Sequence, residues 1–194
     1  MPRTTMPPPQ SAPETTFVNG IEVDSLTGTI EAIKADPDLA RSQFRVSNTW
    51  IGGARNRTTI LGFRAAGQEH EHGQVFELEA DEPPLLAGSD SAPNPVEHLL
   101  NSLVSCLTTS LVAHAAVRGI DIEEVTSEVE GDIDLNGFLG LSSQVPRGFT
   151  DMRVRFHVKA PNADPEMLRR LALYSPVFHT LTSGTNVELT VERV

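Results

Sequence analysis

The chain of 194 residues has one cysteine, Cys106. That excludes an internal disulfide framework and any zinc site built from several thiolates. Basic residues are scarce as well: Lys and Arg number 15 against 26 Asp and Glu, for a formal charge of −11. A nucleic-acid binder needs a basic face, so nucleic acid is not an expected partner. Long apolar runs are missing too. The longest stretch without a formal charge, after Glu97 to Val117, is interrupted by Asn101, Ser102, Ser105, Thr108, Thr109, Ser110 and His114. A lipid-facing span wants roughly 20 mostly apolar residues, so no membrane partner is expected. Residues Met1 to Pro9 lack the apolar region of a secretory signal. The expectation is a cytoplasmic protein.

What is present suits a folded domain. Hydrophobic residues make up 39% and charged residues 21%, a globular composition, and the length allows a core without covalent staples. Residues 1–16 hold Pro2, Pro7, Pro8, Pro9 and Pro13 among Thr, Ser and Gln. Such a segment buries too little to offset its ordering entropy, which predicts a disordered tail. Residues 17–194 then form a single domain.

From 17 to 64 the sequence reads as strands and turns, punctuated by Asn19-Gly20, Asp36-Pro37 and Gly52-Gly53. Phe44–Ile51 and Thr58–Phe63 have strand composition and predict a hairpin around Gly52–Asn56. Gln74–Ala80 alternates apolar and acidic residues, which predicts a strand with one wet face. A long loop, Asp81 to Pro93, then leads to a strong helix start. Asn94 can cap, Pro95 fits the first helical position and Glu97 stands at the third. The helix is expected to run to about Arg118 and stop at Gly119. Leu99, Leu103, Ala113 and Val117 lie on one side of it and Leu100, Val104, Leu107 and Leu111 on the other. A helix apolar on both sides is expected to be a buried central helix. Its small residues, among them Ser102, Ser105, Ser110 and Ala113, would let another element approach closely.

Val125–Asp134 and Met152–Ala160 alternate as strands, Asp164-Pro165 starts a second helix, and Ser175-Pro176 interrupts it and caps a short third. Val187–Glu192 alternates as a last strand. The order predicts an α+β fold with mostly antiparallel strands.

Cys106 is the first candidate for chemistry. A reactive thiol needs its thiolate stabilised. The start of its own helix cannot do this, because Cys106 lies twelve residues past Asn94 and the helix dipole acts within the first turn. A cation must come from elsewhere, and Arg55 and Arg57 on the predicted hairpin are the candidates. Glu97 is nine residues before Cys106, about half a turn out of phase, and serves instead as the capping partner of Asn94. His70 and His72 could share one strand face, but no third fixed ligand accompanies them, and a solvated hairpin tip is the expected reading. His98, His114, His157 and His179 show no ligand spacing, and no metal or cofactor is expected.

Asn94-Pro95-Val96-Glu97-His98-Leu99-Leu100 followed by Ser105-Cys106 resembles the OsmC/Ohr family, the osmotically inducible proteins and organic hydroperoxide reductases. Asp81-Glu82-Pro83-Pro84 and Gly131 to Leu141 resemble some of its branches, and the likeness spans roughly residues 40–194. The resemblance implies an intertwined homodimer, with antiparallel sheets wrapped around two central helices. It maps Cys106 onto the thiol that attacks the peroxide, and Arg55 onto the arginine of a Gly-Gly-Arg region, here with one alanine inserted. That arginine would lower the pKa of Cys106 and hold the substrate oxygen. The family's second, resolving cysteine falls at Ser175 in Ser175-Pro176-Val177, so the two-cysteine cycle cannot run within this chain. Val96 stands where some peroxidase members carry a glutamate. Two functions follow. One is a thiol-dependent peroxidase that reduces organic hydroperoxides through Cys106 with an external thiol reductant. The alternative is a non-catalytic dimeric binding protein for a small apolar or acyl ligand.

Overall fold

The structure, a computed structural model, describes residues 15–193. The tail expected over 1–16 therefore lies outside the described residues except for Thr15 and Thr16. The chain builds a small β1–β2 hairpin (Phe17–Val18, Ile21–Glu22), a helix α1 (Val23–Ala35), strands β3 (Val46–Gly52) and β4 (Arg55–Ile60), and a hairpin β5–β6 (Phe63–Ala65, Gln68–His70). It continues through β7 (Phe76–Ala80), the long helix α2 (Pro95–Val117), β8 (Glu124–Ile133), the single turn α3 (Leu135–Phe138), β9 (Phe149–Lys159), α4 (Pro165–Ala172) and α5 (Pro176–Ser183). Every strand pair is antiparallel. The larger sheets run β3-β4-β7 and β8-β9. The fold is α+β, as expected.

The signals at the start of α2 act as read. The Asn94 carboxamide accepts the Glu97 amide at 2.9 Å, and the Glu97 carboxylate accepts the Asn94 amide at 2.8 Å. Two donors left over at the helix start are thereby satisfied reciprocally. The helix ends at Val117, and Gly119 takes a left-handed φ of 65°, a conformation open to glycine without steric cost.

Leu103, Leu107, Leu111 and Ala115 repeat every four residues, so they share one face. They are buried against Leu168, Leu171 and Ala172 of α4. Val125 and Val129 of β8 and Met152, Val154, Phe156 and Val158 of β9 close over this core. Alternation turns their neighbours outward, where Arg153 pairs with Glu130 at 2.7 Å and Asp132 at 2.6 Å. By length and composition alone α2 is long and apolar enough to cross a membrane. Its packing against α4 and β8 makes it a core helix.

Three expectations are corrected. The stretch before Asp36 is not all strand and turn, because α1 occupies Val23–Ala35. Val23, Leu26, Ile30 and Ile33 are its half-buried positions, spaced near the 3.6-residue period that Thr27, Gly28 and Thr29 obscure in the sequence. Helix α2 is not buried on both sides within one chain; Leu103 through Ala115 bury one face, while Ser102, Ser105 and Thr109 are exposed. Finally, Val187–Glu192 forms no strand. It has no ladder partner among the described residues; alternation reports the pattern of a segment and not whether a strand lies beside it.

Candidate functional site

Cys106 is a free, half-buried thiol in the middle of α2. Its surroundings on the helix are small. One turn before it, the Ser102 hydroxyl donates back to the His98 carbonyl at 2.9 Å. Three residues after it, the Thr109 hydroxyl donates to the carbonyls of Ser105 and Cys106 at 3.1 and 3.2 Å. Hydroxyls that bond their own helix backbone offer little to a partner. Small side chains thus surround the half-buried sulfur.

The two arginines proposed as its cation lie on β4 and point together. Arg55 and Arg57 are two residues apart, so they share a face, and the register sets Arg57 directly across from Glu79 on β7. One Glu79 carboxylate oxygen accepts Arg57 Nε at 3.1 Å and Arg57 Nη2 at 2.6 Å, and the other accepts Arg55 Nη2 at 2.9 Å. The Arg57 and then the Arg55 hydrogen bonds hold the Glu79 carboxyl below its ordinary pKa. The same bond to Glu79 raises Arg57. Arg55 differs from its neighbour in one respect: its Nε is buried and has no hydrogen-bond partner among the described residues. Within one chain no hydrogen bond or ion pair joins either arginine to Cys106 among the described residues.

The opposite face of the same sheet forms a cleft with the first turns of α2. It has a volume of about 1000 Å³, and Asn56, Thr58, Leu78, His98, Asn101 and Ser102 are among its walls. The His98 ring sits 2.9 Å from the Glu79 carbonyl and ties the helix start to β7. Cys106 lies one turn past Ser102, beyond the residues that line the cleft.

Asp81 fixes the loop that walls the cleft, a role the sequence reading missed. Its side chain is 1% exposed. One carboxylate oxygen accepts the Ser89 hydroxyl at 2.6 Å, the Ser91 hydroxyl at 2.9 Å and both serine amides at 3.1 and 3.0 Å. The Ser89 hydroxyl, then the Ser91 amide, hold this carboxyl far below the usual carboxylate range. Gly88 lets the loop close, since a Cβ there would stand 1.7 Å from the Glu82 carbonyl oxygen. The spacing of Asp81 from Ser89 and Ser91 was the available signal. By itself it is indistinguishable from a solvated polar loop.

The remaining candidates fall elsewhere. Glu97 holds Asn94. Ser175, also 1% exposed, accepts the Phe178 amide at 3.1 Å and caps α5. His70 and His72 are not at a hairpin tip, which is Ala66-Gly67. Their rings pack 5.1 and 5.3 Å from Phe63, and no group of three metal-ligating side chains occurs among the described residues. His114 stacks on Tyr174 at 4.1 Å, and burial, then Arg118, lowers its pKa.

A family model described as OsmC-like protein matches residues 88–190, more than half of the chain. The chain belongs to the OsmC-like protein family. Solved structures agree on the fold. An OsmC-like protein from Mycoplasma pneumoniae is 16% identical, with 72% of this chain and 87% of that one covered at a TM-score of 0.52. A candidate osmotic stress induced and detoxification response protein from Psychrobacter arcticus is 22% identical, with 68% and 83% covered at 0.51. An OsmC-like protein of unknown function from Vibrio cholerae is 14% identical, with 76% and 96% covered at 0.50. No curated protein matches the chain. The match begins at Gly88 and takes in all of α2, so Cys106 lies within the OsmC-like region while Arg55, Arg57 and Glu79 precede it.

Proposed function

We propose that this OsmC-like protein is a cytoplasmic homodimer that reduces organic hydroperoxides through Cys106 with an external thiol as reductant. The observation that carries the reading is the placement of the sole cysteine half-exposed on the one face of α2 that its own chain leaves uncovered.

The surface argues for a second copy. The chain exposes 14833 Å², whereas a compact monomer of its mass exposes roughly 9,000 Å². Residues 1–14, even as fully extended chain, contribute only about 2,200 Å² on the same scaling. On the cleft face of the β3-β4-β7 sheet, Val46, Trp50, Phe76 and Leu78 stand exposed, Trp50 at 72%. An apolar face of that kind marks an interaction surface. Within one chain no hydrogen bond or ion pair joins Arg55 to Cys106 among the described residues, so the thiol it would serve is that of the second copy. Arg55 is favoured over Arg57 because, among the described residues, it alone of the two keeps a buried donor without a partner.

The chemistry balances with one cysteine. The Cys106 thiolate attacks the outer oxygen of the hydroperoxide, the O–O bond breaks, and the alkoxide takes a proton and leaves as the alcohol. The sulfur, oxidised to sulfenic acid, condenses with an external thiol to a mixed disulfide and water. A second thiol then releases Cys106 and leaves as the disulfide. A reducing cytoplasm supplies such thiols. Peroxide consumption with a small dithiol, measured for the native chain and for Cys106→Ser, tests the reading. Equal turnover by both would end it.

Ser175 favours a second reading. Its hydroxyl is buried in a cap where a resolving thiol would be needed. In that reading the dimer keeps the fold without turnover and holds a small apolar or acyl ligand at its interface. Native mass spectrometry would then find a retained adduct on an inactive protein.

A further inference from the structure

Two carboxylates in the loop before α2 have different tasks. Asp81 is buried and takes both neighbours of Asp90 on a single oxygen, which accepts the hydroxyls and the amides of Ser89 and Ser91. Asp90 stands between them with a left-handed φ of 56°, and its amide donates to the Glu82 carbonyl at 3.1 Å. Aspartate tolerates that conformation better than most residues do. A residue pinned on both sides and through its own amide cannot swing away. The place of Asp90 on the cleft wall is therefore built into the loop.

The cleft offers no cation to oppose this charge. No lysine or arginine is among its lining residues. The start of α2 would attract an anion, but the Glu97 carboxylate already accepts the Asn94 amide there. The His98 ring is engaged with the Glu79 carbonyl at 2.9 Å. Leu78, Ala80 and Pro93 supply apolar wall, and Asn56 and Thr58 supply neutral polar groups. The Asn48 carboxamide donates to Asn56 Oδ1 at 2.8 Å and to Thr58 Oγ1 at 2.7 Å. That leaves the Asn56 amide hydrogens and the Thr58 hydroxyl proton for the acceptors of an uncharged ligand.

The dimensions suit a long one. Ser102, at one end of the cleft, lies one turn before Cys106 and on its side of the helix. From Pro95 to Cys106 the helix rises roughly 16 Å. A long-chain hydroperoxide reacting at the thiol and lying along these turns brings its far end beside Asp90.

We propose that Asp90 sets the specificity of this cleft, which admits long-chain hydroperoxides with an uncharged far end, such as acyl esters, and rejects those ending in a carboxylate. The proposal rests on the peroxidase reading for the reaction, though not for the binding.

Two measurements on the full chain test it. The first is binding of decanoate and of methyl decanoate at low salt to the Cys106→Ser chain. Fluorescence of Trp50 reads it, since this sole tryptophan lies across from Asn56 in the ladder. The ester is expected to bind about tenfold tighter or more, the order of one like-charge contact near a protein surface. In Asp90→Asn, which keeps the side-chain shape and tolerates the same φ, that ratio is expected to fall by about fivefold or more. Equal binding of acid and ester, no binding of either, or an unchanged ratio in Asp90→Asn overturns the proposal. Glu124→Gln makes the same change of charge on β8 and is expected to keep the ratio. An equal fall there assigns the selectivity to the net charge of the chain and overturns the proposal as well.

The second is turnover of a long-chain fatty acid hydroperoxide and of its methyl ester, with a small dithiol as reductant. Faster turnover of the ester, lost in Cys106→Ser, is the expected result. Turnover that needs Cys106 but runs equally fast on acid and ester overturns the assignment of Asp90 alone. Turnover that survives Cys106→Ser ends the peroxidase reading, and the binding ratio then decides Asp90 by itself.

Discussion

Glu79 faces Arg57 across the β4–β7 ladder and takes both of its donors on one oxygen, while its second oxygen holds Arg55. One carboxylate thus restrains two guanidinium groups and leaves a net positive charge between them. In the proposed dimer, releasing that restraint would free Arg55 for the thiolate. Glu79→Gln is expected to raise the alkylation rate of Cys106 at neutral pH. Arg55→Met is expected to lower it by about tenfold or more, as losing a nearby cation moves a pKa by 1–3 units. Arg57→Met should act less. Alkylation rate against pH for the three variants checks this, and an unchanged profile in Arg55→Met removes that residue from the site.

The capping pair at the start of α2 makes a separate prediction. Asn94→Ala removes the acceptor of the Glu97 amide and is expected to cost about 1 kcal/mol in urea unfolding. Glu97→Gln keeps a side-chain acceptor for the Asn94 amide and should stay within about 0.5 kcal/mol of the native chain. Peroxide turnover should survive Glu97→Gln. Loss of turnover with the fold intact would instead give Glu97 a part in the chemistry.

Asp81 sets an acid limit. Its carboxyl titrates far lower in the folded chain than its ordinary value of about 4. A depressed folded pKa adds stability that is full above the unfolded value and drains away as pH falls toward the folded one. Stability should therefore decline from about pH 4 downward, with Asp81 among the causes. Asp81→Asn cannot ionise, so it should be less stable at pH 7 and show a shallower loss on acidification. Urea midpoints at pH 7 and pH 3 make the comparison. Parallel curves for the two proteins would mean that the serine hydroxyls do not select the charged form.

The parts of this fold legible in the sequence are those where one residue type answers one local need. Asn94, Pro95, Glu97 and Gly119 bound α2 because caps and left-handed turns depend on their own neighbours. The alternation of β8 and β9 was equally plain, since each has one wet face. Helix α1 was missed because its apolar stripe is thin and Gly28 breaks it. Val187–Glu192 was read as a strand because alternation reports the shape of a segment and says nothing about whether another strand lies beside it. The candidate site was legible only in part. Cys106 and the two arginines were visible as types, but the engagement of the arginines with Glu79 depends on the register of β4 against β7. Asp81 was invisible because burial of a loop carboxylate depends on the path of the chain around it.

The core supplies the last prediction. Leu111 is 1% exposed and lies on the α2 face packed against α4, the face opposite the uncovered one that carries the small residues around Cys106. Truncation to alanine loses the transfer energy of the removed carbons and leaves part of the space unfilled, because α2 and α4 are held at both ends and cannot collapse fully onto it. Leu111→Ala should cost about 2–5 kcal/mol, a large share of the stability of a single domain. The alkylation rate of the Cys106 thiol, measured where the variant is still folded, should match that of the native chain. A slower thiol would mean that the packed face and the reactive face of α2 are coupled, and that the core helps position the sulfur.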